Sequence, residues 1–380
     1  MKSVKSFLEE ILKAIGIEQK IQSDEIITAR IFLDKLNKYF YQVNEKNEKY
    51  ISDFHQYWED SHENILRPTI NDKQAIKIAK KFDEVFSDRI KYSDIDISPQ
   101  INRKGLTSSN IANVRFFTAI QDFKINIYKK GRDPFQQFLK TPDWFDAYKI
   151  YNNKLLILDF LNYLDATGSQ GDKRIKWMND AAKFLIEYCD GDAYKLYEKC
   201  ENDVLRVRSL LADDMEIGFS RKKADMFIRD MLDWKVWKPG KNIEHLNVAS
   251  DANTMRVALR TGLLEISIPL LASYLDVYCY QYGLIDKMTQ SAWRRVWEIW
   301  RQLPNNSCPP SPASMDYLIY KSIGRRKCLL NARRCNTCIM DDICPTDKRK
   351  LKPPKSISIK VMTGWESGRT DEGGGGGIMS

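Results

Sequence analysis

The chain has 380 residues, of which 43% are hydrophobic and 29% charged, and its formal net charge is +9. This composition predicts packed cores, and the length allows two or more domains. No apolar run reaches the roughly 18 residues of a membrane-spanning helix. Glu9 and Glu10 interrupt the apolar stretch that a signal peptide would require. We therefore expect no membrane partner and a cytoplasmic location, where cysteines are more often core thiols or ligands than disulfides.

The sequence predicts an all-α protein. Apolar residues recur at the helical spacing of three and four in segments 32–41, 75–86, 114–127, 155–164, 177–188, 204–211, 224–232 and 293–303. Residues 1–105 carry no interpretable motif and are predicted to be an accessory helical region. Residues 351–380, which include five consecutive glycines, are predicted to be a flexible tail.

Residues 210–232 are predicted to form a helix, a tight turn and a second helix. The turn lies in Ile-Gly-Phe-Ser-Arg-Lys-Lys-Ala, residues 217–224. A turn that opens a helix presents backbone N–H groups that can hold a phosphate. Taken alone, the pattern is equally that of a generic helix–turn–helix corner. Trp234 and Trp237 follow it, and they either stack on bases or belong to the core.

Asp251 stands where another helix is predicted to begin, and Arg256, Arg260 and Gly262 follow it. Aspartate is a favoured N-cap residue, so one interpretation is a capping residue without chemistry. The other is a carboxylate that stabilises positive charge on a substrate.

Four cysteines near the C-terminus, Cys328, Cys335, Cys338 and Cys344, have the spacing C-x6-C-x2-C-x5-C. Four thiolates within 17 residues can enclose one metal centre. A zinc site is usually built from two short Cys-x2-Cys knuckles, and only one occurs here, so the wider loops favour a [4Fe–4S] cluster. Zinc and unliganded thiols remain the alternatives. Residues 321–350 hold nine Lys or Arg and three Asp, a local balance of +6.

The cysteine spacing and its flanks, Gly-Arg-x-x-Cys at 324–328 and Cys-Ile-x-Asp-Asp-x-Cys at 338–344, resemble the iron–sulfur loop of the endonuclease III branch of the helix-hairpin-helix DNA glycosylase superfamily. The resemblance implies a two-lobed helical catalytic region at 106–350. It places the hairpin at 210–232 and a [4Fe–4S] loop at 324–345, in which the four cysteines are the cluster ligands.

The resemblance also implies roles for individual residues. Lys222 matches the catalytic amine and Asp251 the essential carboxylate. DNA contacts are implied for Gly218, Ser220 and Lys223 in the hairpin, for Arg256, for Arg333 and Arg334 in the cysteine loop, and for Gln121, which is similar to a glutamine that enters the opened base pair. Ser220 replaces a family glycine, and Ala252-Asn253 replaces a family Thr-His pair.

The function implied is that of a monomeric, base-flipping enzyme of a bacterial or phage-infected cell that acts on double-stranded DNA. It would cleave the N-glycosidic bond of a modified or damaged base, with a lyase step if Lys222 attacks the sugar. One alternative is a phage enzyme of thymine hypermodification, which replaces an activated hydroxymethyluracil pyrophosphate with an amino acid or a polyamine. A second alternative is a non-catalytic iron–sulfur protein that binds DNA.

Overall fold

The computed structural model describes residues 67–122, 127, 131–168, 170–214, 216–265, 282–330 and 334–345. These residues are helices and loops, apart from two short strands that pair antiparallel, so the all-α prediction is confirmed. None of the described helices combines the length and hydrophobicity needed to cross a membrane. Three predicted features lie outside the described residues, namely the helix at 32–41, Arg333 and the tail at 351–380.

The chain divides into two compact units, with the boundaries after Asp96, Ala249, Cys308 and Asp316. We call Ile97–Ala249 with Pro309–Asp316 the central unit, and the described residues outside these two ranges the terminal unit. The helices of the central unit are α2 (Ser108–Gln121), α3 (Pro134–Phe138), α4 (Ala147–Ile150), α5 (Lys154–Tyr163), α6 (Gly171–Cys189), α7 (Leu196–Lys199), α8 (Val204–Ser209) and α9 (Arg221–Asp233).

Single 3-10 or π turns complete the central unit, at Pro142–Phe145, Ala193–Lys195, Leu210–Asp214, Ile243–His245 and Pro312–Met315. The terminal unit contains β1 (Thr69–Ile70), α1 (Asp72–Ser87), α10 (Ala252–Arg260), β2 (Leu264–Glu265), α11 (Tyr282–Trp300), a π-helical segment (Leu318–Cys328) and a 3-10 turn (Cys335–Thr337).

Helix α2 forms the centre of the central unit. It begins at a capping box, in which the Thr107 hydroxyl accepts from the Asn110 amide and the Asn110 side chain accepts from the Thr107 amide. Phe116 is fully buried, and its ring lies 5.2 Å from the ring of Phe219 and 5.7 Å from that of Phe227. The aromatic core therefore joins α2 to the hairpin and to α9.

Both tryptophans of the segment after α9 belong to this core. The Trp234 indole nitrogen donates to the Pro99 carbonyl at 3.0 Å, and the Trp237 indole nitrogen donates to the Tyr194 carbonyl at 3.0 Å. Each residue is less than 5% exposed. Because the indoles are enclosed and their N–H groups are bonded, the core interpretation holds and neither ring is presented for stacking on a base.

Buried charges also link the elements of the central unit. The Arg115 Nε donates to Asp230 at 2.6 Å, and Arg229 donates to both Asp230 and Asp316 at 2.6 and 2.5 Å. Asp233 lies beside this network and accepts from the Ser314 hydroxyl at 3.1 Å. Buried charges are tolerated when they are paired in this way, and the pairs fix Pro309–Asp316 to α9.

In the terminal unit, α1 packs against α11 through aromatic residues. The Phe82 ring is stacked on Trp293 with centroids 6.2 Å apart and meets Trp300 edge-on at 5.9 Å. Helix α1 lies within the region predicted to be accessory, residues 1–105. In the structure α1 belongs to the same unit as the cysteine loop, and α11 covers its apolar face.

The predicted helix at 32–41 lies outside the described residues, and each of the other seven predicted helices overlaps an observed helix. The largest difference is in α11, which begins at Tyr282, eleven residues before the predicted start at Trp293. Helix α2 ends at Gln121, whereas the apolar pattern of the sequence continues to Ile127. The Asp122 amide there bonds back to the Ala119 carbonyl, which closes the last turn. The apolar pattern of the sequence therefore continues beyond the last helical residue of α2.

Candidate functional site

The hairpin turn is built around Gly218. Its φ is +84°, a left-handed backbone that glycine adopts without strain. A Cβ at this position would lie 2.8 Å from the Trp177 Cγ and 2.9 Å from the Ile120 Cγ2. The turn therefore packs closely against α6 and the end of α2, and only glycine allows this approach.

Ser220, which replaces the family's second glycine, has φ −111° and ψ 165°, an extended backbone open to any residue. It is the N-cap of α9, and its hydroxyl accepts from the Lys223 amide at 3.4 Å. The amides of Arg221 and Lys222 precede Lys223 in the first turn, where a helix leaves N–H groups without intrahelical partners. Ser220 therefore caps the start of α9, and its hydroxyl binds the Lys223 amide, which could otherwise face a phosphate.

Lys223 is the enclosed lysine of the hairpin. Its Nζ donates to the Ile120 carbonyl at 2.8 Å and the Gly218 carbonyl at 3.0 Å, and lies 5.3 Å from the centre of the Trp177 ring. Burial lowers the pKa of Lys223 to about 7, and the positive charges of Arg174 and Lys222 act in the same direction, against Asp122. The residue as a whole is only partly buried, but the amine end is the part that is enclosed.

Lys222, the predicted catalytic amine, is partly exposed on the second residue of α9. The sequence resemblance implies that Lys222 is the catalytic amine and that Lys223, beside it, contacts DNA. The structure separates them, since the desolvation that can activate an amine acts on Lys223.

Gln121, the predicted base-pair wedge, is fully buried at the end of α2. Its side-chain oxygen accepts from Arg174 Nη1 at 3.1 Å, and its backbone oxygen accepts from the same nitrogen at 2.9 Å. Among the described residues its amide nitrogen has no hydrogen-bond partner. In this structure Gln121 holds Arg174 in the interior and is not presented at a surface.

Asp251 is the N-cap of α10. One carboxylate oxygen accepts from the amides of Asn253 and Thr254, both at 2.8 Å, and the other accepts from the Asn253 side chain at 2.9 Å. The Asp251 amide in turn donates to the Thr254 hydroxyl at 2.7 Å, which completes a capping box. Asn253, which departs from the family pattern, thus helps to fix the carboxylate in one orientation.

The helix that Asp251 begins also contacts the cysteine loop. Arg260, its last residue and only 3% exposed, donates from Nη1 to the Cys328 carbonyl at 2.7 Å and lies 3.8 Å from the Cys328 sulfur. Nine helical residues span about 14 Å, so one short rigid element connects the carboxylate to the first cysteine. Arg256 lies on the same helix and is partly buried.

The four cysteines are partly buried, and none forms a disulfide. Burial raises the pKa of the Cys338 thiol to about 11, and the nearby Cys328 and Cys335 act in the same direction. No three His, Cys, Asp or Glu side chains in the described ranges are placed to hold a single metal ion. Four thiols within 17 residues of the sequence are donor atoms that suit an iron–sulfur cluster or a zinc ion.

Contacts with α1 and α10 hold the cysteine loop in place. The Gln74 side chain donates to the Ile343 carbonyl at 2.9 Å, and Lys81 pairs with Asp342 at 2.9 Å. Met340 is fully buried, and Pro345 lies against Gly262. Arg334 is exposed within the loop, as a phosphate contact requires.

The predicted site residues therefore fall into two groups. The central unit contains Gln121, Gly218, Ser220, Lys222 and Lys223. Lys223 bonds to Gly218 through its amine and to Ser220 through its backbone amide. The other predicted residues that are described belong to the terminal unit, namely Asp251, Arg256, Arg334 and the four cysteines. The sequence did not single out Arg174 or Trp177. Trp177 is the first residue of the predicted helix at 177–188, whereas Arg174 lies before it.

The chain matches no model of a known protein family and no curated protein sequence.

Proposed function

We propose that the chain is a base-flipping DNA enzyme with a helix-hairpin-helix glycosylase fold, acting on a modified or damaged base. The observation that carries the proposal is the bond from Arg260 to Cys328. This bond joins the helix that begins at Asp251 rigidly to the cysteine loop. A carboxylate that must reach DNA at a fixed depth requires such a rigid connection.

In this proposal the hairpin and the cysteine loop hold the DNA backbone. The first-turn amides of α9, at the positive end of the helix, face a phosphate, and Arg334 adds a contact that fixes position without reading sequence. The base leaves the stack at a cost of roughly a few kcal/mol. Cys328, Cys335, Cys338 and Cys344 would hold a [4Fe–4S] cluster, which supplies a rigid, redox-capable brace for the loop.

Asp251 then acts on the sugar. Its carboxylate is fixed by α10 and Asn253, so it needs no reorganisation to stabilise the positive charge that develops at C1′ as the bond to the base breaks. Lys222, partly exposed at the start of α9, is the candidate amine nucleophile if a lyase step follows.

The test uses anaerobically purified protein and two kinds of duplex, one with damaged bases and one with hydroxymethyluracil pyrophosphate together with amine donors. Release of a free base or formation of an abasic site supports the proposal. A heavier nucleoside in the second duplex identifies base replacement instead. Retained DNA binding with no product identifies a binding protein.

Asp251→Asn tests the assignment of the carboxylate. Asparagine is also a good N-cap, so we expect the variant to fold normally and lose activity. Asp146→Asn is the matched control, since Asp146 is the N-cap of α4 and accepts from Tyr148 at 2.9 Å. Full activity in Asp251→Asn would contradict the assignment.

A further inference from the structure

Three lysines of α1 lie on one exposed face. Lys73, Lys77 and Lys80 are all exposed, and at about 100° per residue they fall within an arc of about 60° and a rise of about 10 Å. We call them the α1 lysine stripe. Among the described residues none of the three has an ion-pair partner, because the neighbouring acids are already paired: Asp72 with Arg295, and both Glu84 and Asp342 with Lys81.

The placement of the stripe opposes the stability of the helix. Lys73 lies in the first turn, at the positive end of the dipole, while the last turn contains no basic residue. Lys73 with Lys77, and Lys77 with Lys80, are like charges at helical neighbour spacing, which repel each other. A helix surface optimised for stability would carry acidic residues near its N-terminus and basic residues near its C-terminus. A polyanion on this face would relieve the repulsion and would also meet the helix N-terminus.

The stripe is held rigidly beside the cysteine loop. The opposite face of α1 is anchored by Phe82 between two tryptophans of α11. Gln74 and Lys81, on the same helix, bond to Ile343 and Asp342 of the loop. The stripe and Arg334 therefore belong to one compact unit whose charges keep a fixed spacing.

We propose that the α1 lysine stripe is a second contact for the phosphate backbone of duplex DNA, continuous with the cysteine loop. The inference rests on the proposed function in taking DNA as the partner, but it adds an element outside the region that the sequence resemblance covers. A rise of about 10 Å spans about three phosphates of one strand at their axial spacing of about 3.4 Å.

The experiment measures the affinity of the full chain for a fluorescent duplex by anisotropy at several salt concentrations. The variant Lys73→Gln/Lys77→Gln/Lys80→Gln is compared with Lys140→Gln/Lys149→Gln/Lys154→Gln, which removes the same charge from three exposed lysines of the central unit. We expect the slope of log affinity against log salt to become shallower by about 0.9 for each stripe lysine. Between 50 and 200 mM salt the parent should then lose about 40-fold more affinity than the stripe variant.

The control triple should keep the parental slope, and the stripe variant should unfold at the same temperature as the parent or higher. If the triple variant does not fold, the single variant Lys77→Gln is measured instead, and its slope of log affinity against log salt should change by about 0.9. Equal slopes in stripe and control variants, with a parent that binds duplex, would overturn this inference and leave the proposed function intact. A parent that binds no duplex, or that binds only anionic phosphatidylserine vesicles, would overturn both.

Discussion

The Lys223 ammonium group lies 3.0 Å from the Gly218 carbonyl oxygen, so the first turn of α9 is closed onto the hairpin that precedes it. The same ammonium reaches the Ile120 carbonyl at the end of α2. Since Gly218 also packs against Trp177, one lysine and one glycine fix the hairpin to two other helices. The orientation of Lys222, one residue away, depends on this closure.

Gly218→Ala should lower the free energy of unfolding by more than the cost of placing alanine in a left-handed backbone. That conformation costs a non-glycine residue about 1–2 kcal/mol, and the new Cβ would overlap Trp177 and Ile120 at a further cost of about 1–3 kcal/mol. Gly131→Ala is the matched control, because Gly131 has the same φ of +84° with nothing within 4 Å of the added Cβ. Urea denaturation gives both free energies of unfolding, and equal losses would show that the hairpin is not closely packed.

Lys223 should give the protein a distinctive pH dependence. Its pKa is lowered from 10.5 to about 7 in the folded chain, so between these values the unfolded chain binds more protons. The free energy of unfolding should therefore rise with pH from about 7 towards 10 through this group. The free energy of unfolding of Lys223→Met should not show this rise with pH. Lys154→Met is the control, because it removes a lysine from the surface. Parallel pH profiles for the parent and Lys223→Met would contradict the enclosure of the amine.

Cys338→Ser should abolish the brown colour and broad visible absorbance of an iron–sulfur cluster. Cys308→Ser is the matched control, because Cys308 is also a partly buried thiol of the terminal unit but lies outside the cysteine loop. Iron and sulfide analysis of anaerobically purified proteins quantifies the result. A colourless parent that contains zinc would contradict the cluster, and equal iron in both variants would contradict Cys338 as a ligand.

Asp233→Asn should stabilise the protein at neutral pH. Burial raises the pKa of Asp233 from 3.8 to about 6, with Asp230 acting in the same direction and Arg229 against it. The folded chain therefore binds more protons between pH 4 and 6, and the parent loses stability as the pH rises through that window. Asparagine carries no charge there, so the variant should exceed the parent by on the order of 1–3 kcal/mol above pH 6.

Urea denaturation at several pH values checks this expectation, with Asp143→Asn, at an exposed aspartate, as the reference for the same substitution. The advantage of Asp233→Asn should disappear below about pH 4. A variant less stable than the parent at neutral pH would mean that Asp233 acts mainly as a charged partner of Arg229.

Local patterns in the sequence predict which segments are helical, although not where every helix begins and ends. Helical spacing predicted seven of the observed helices, and Asp251 was recognised as a cap from its place before an apolar run. Such features depend on residues within one or two turns, because capping and periodicity are short-range properties. The same local character explains why the sequence left the role of Trp234 and Trp237 open.

Which of the two adjacent lysines is enclosed depends on tertiary contacts, since the enclosing groups Trp177 and Ile120 lie 46 and 103 residues before Lys223. The place of α1 beside the cysteine loop likewise depends on the bond from Gln74 to Ile343 across 269 residues. Desolvation and long-range hydrogen bonds depend on what the folded chain brings near a group, and no local pattern records that.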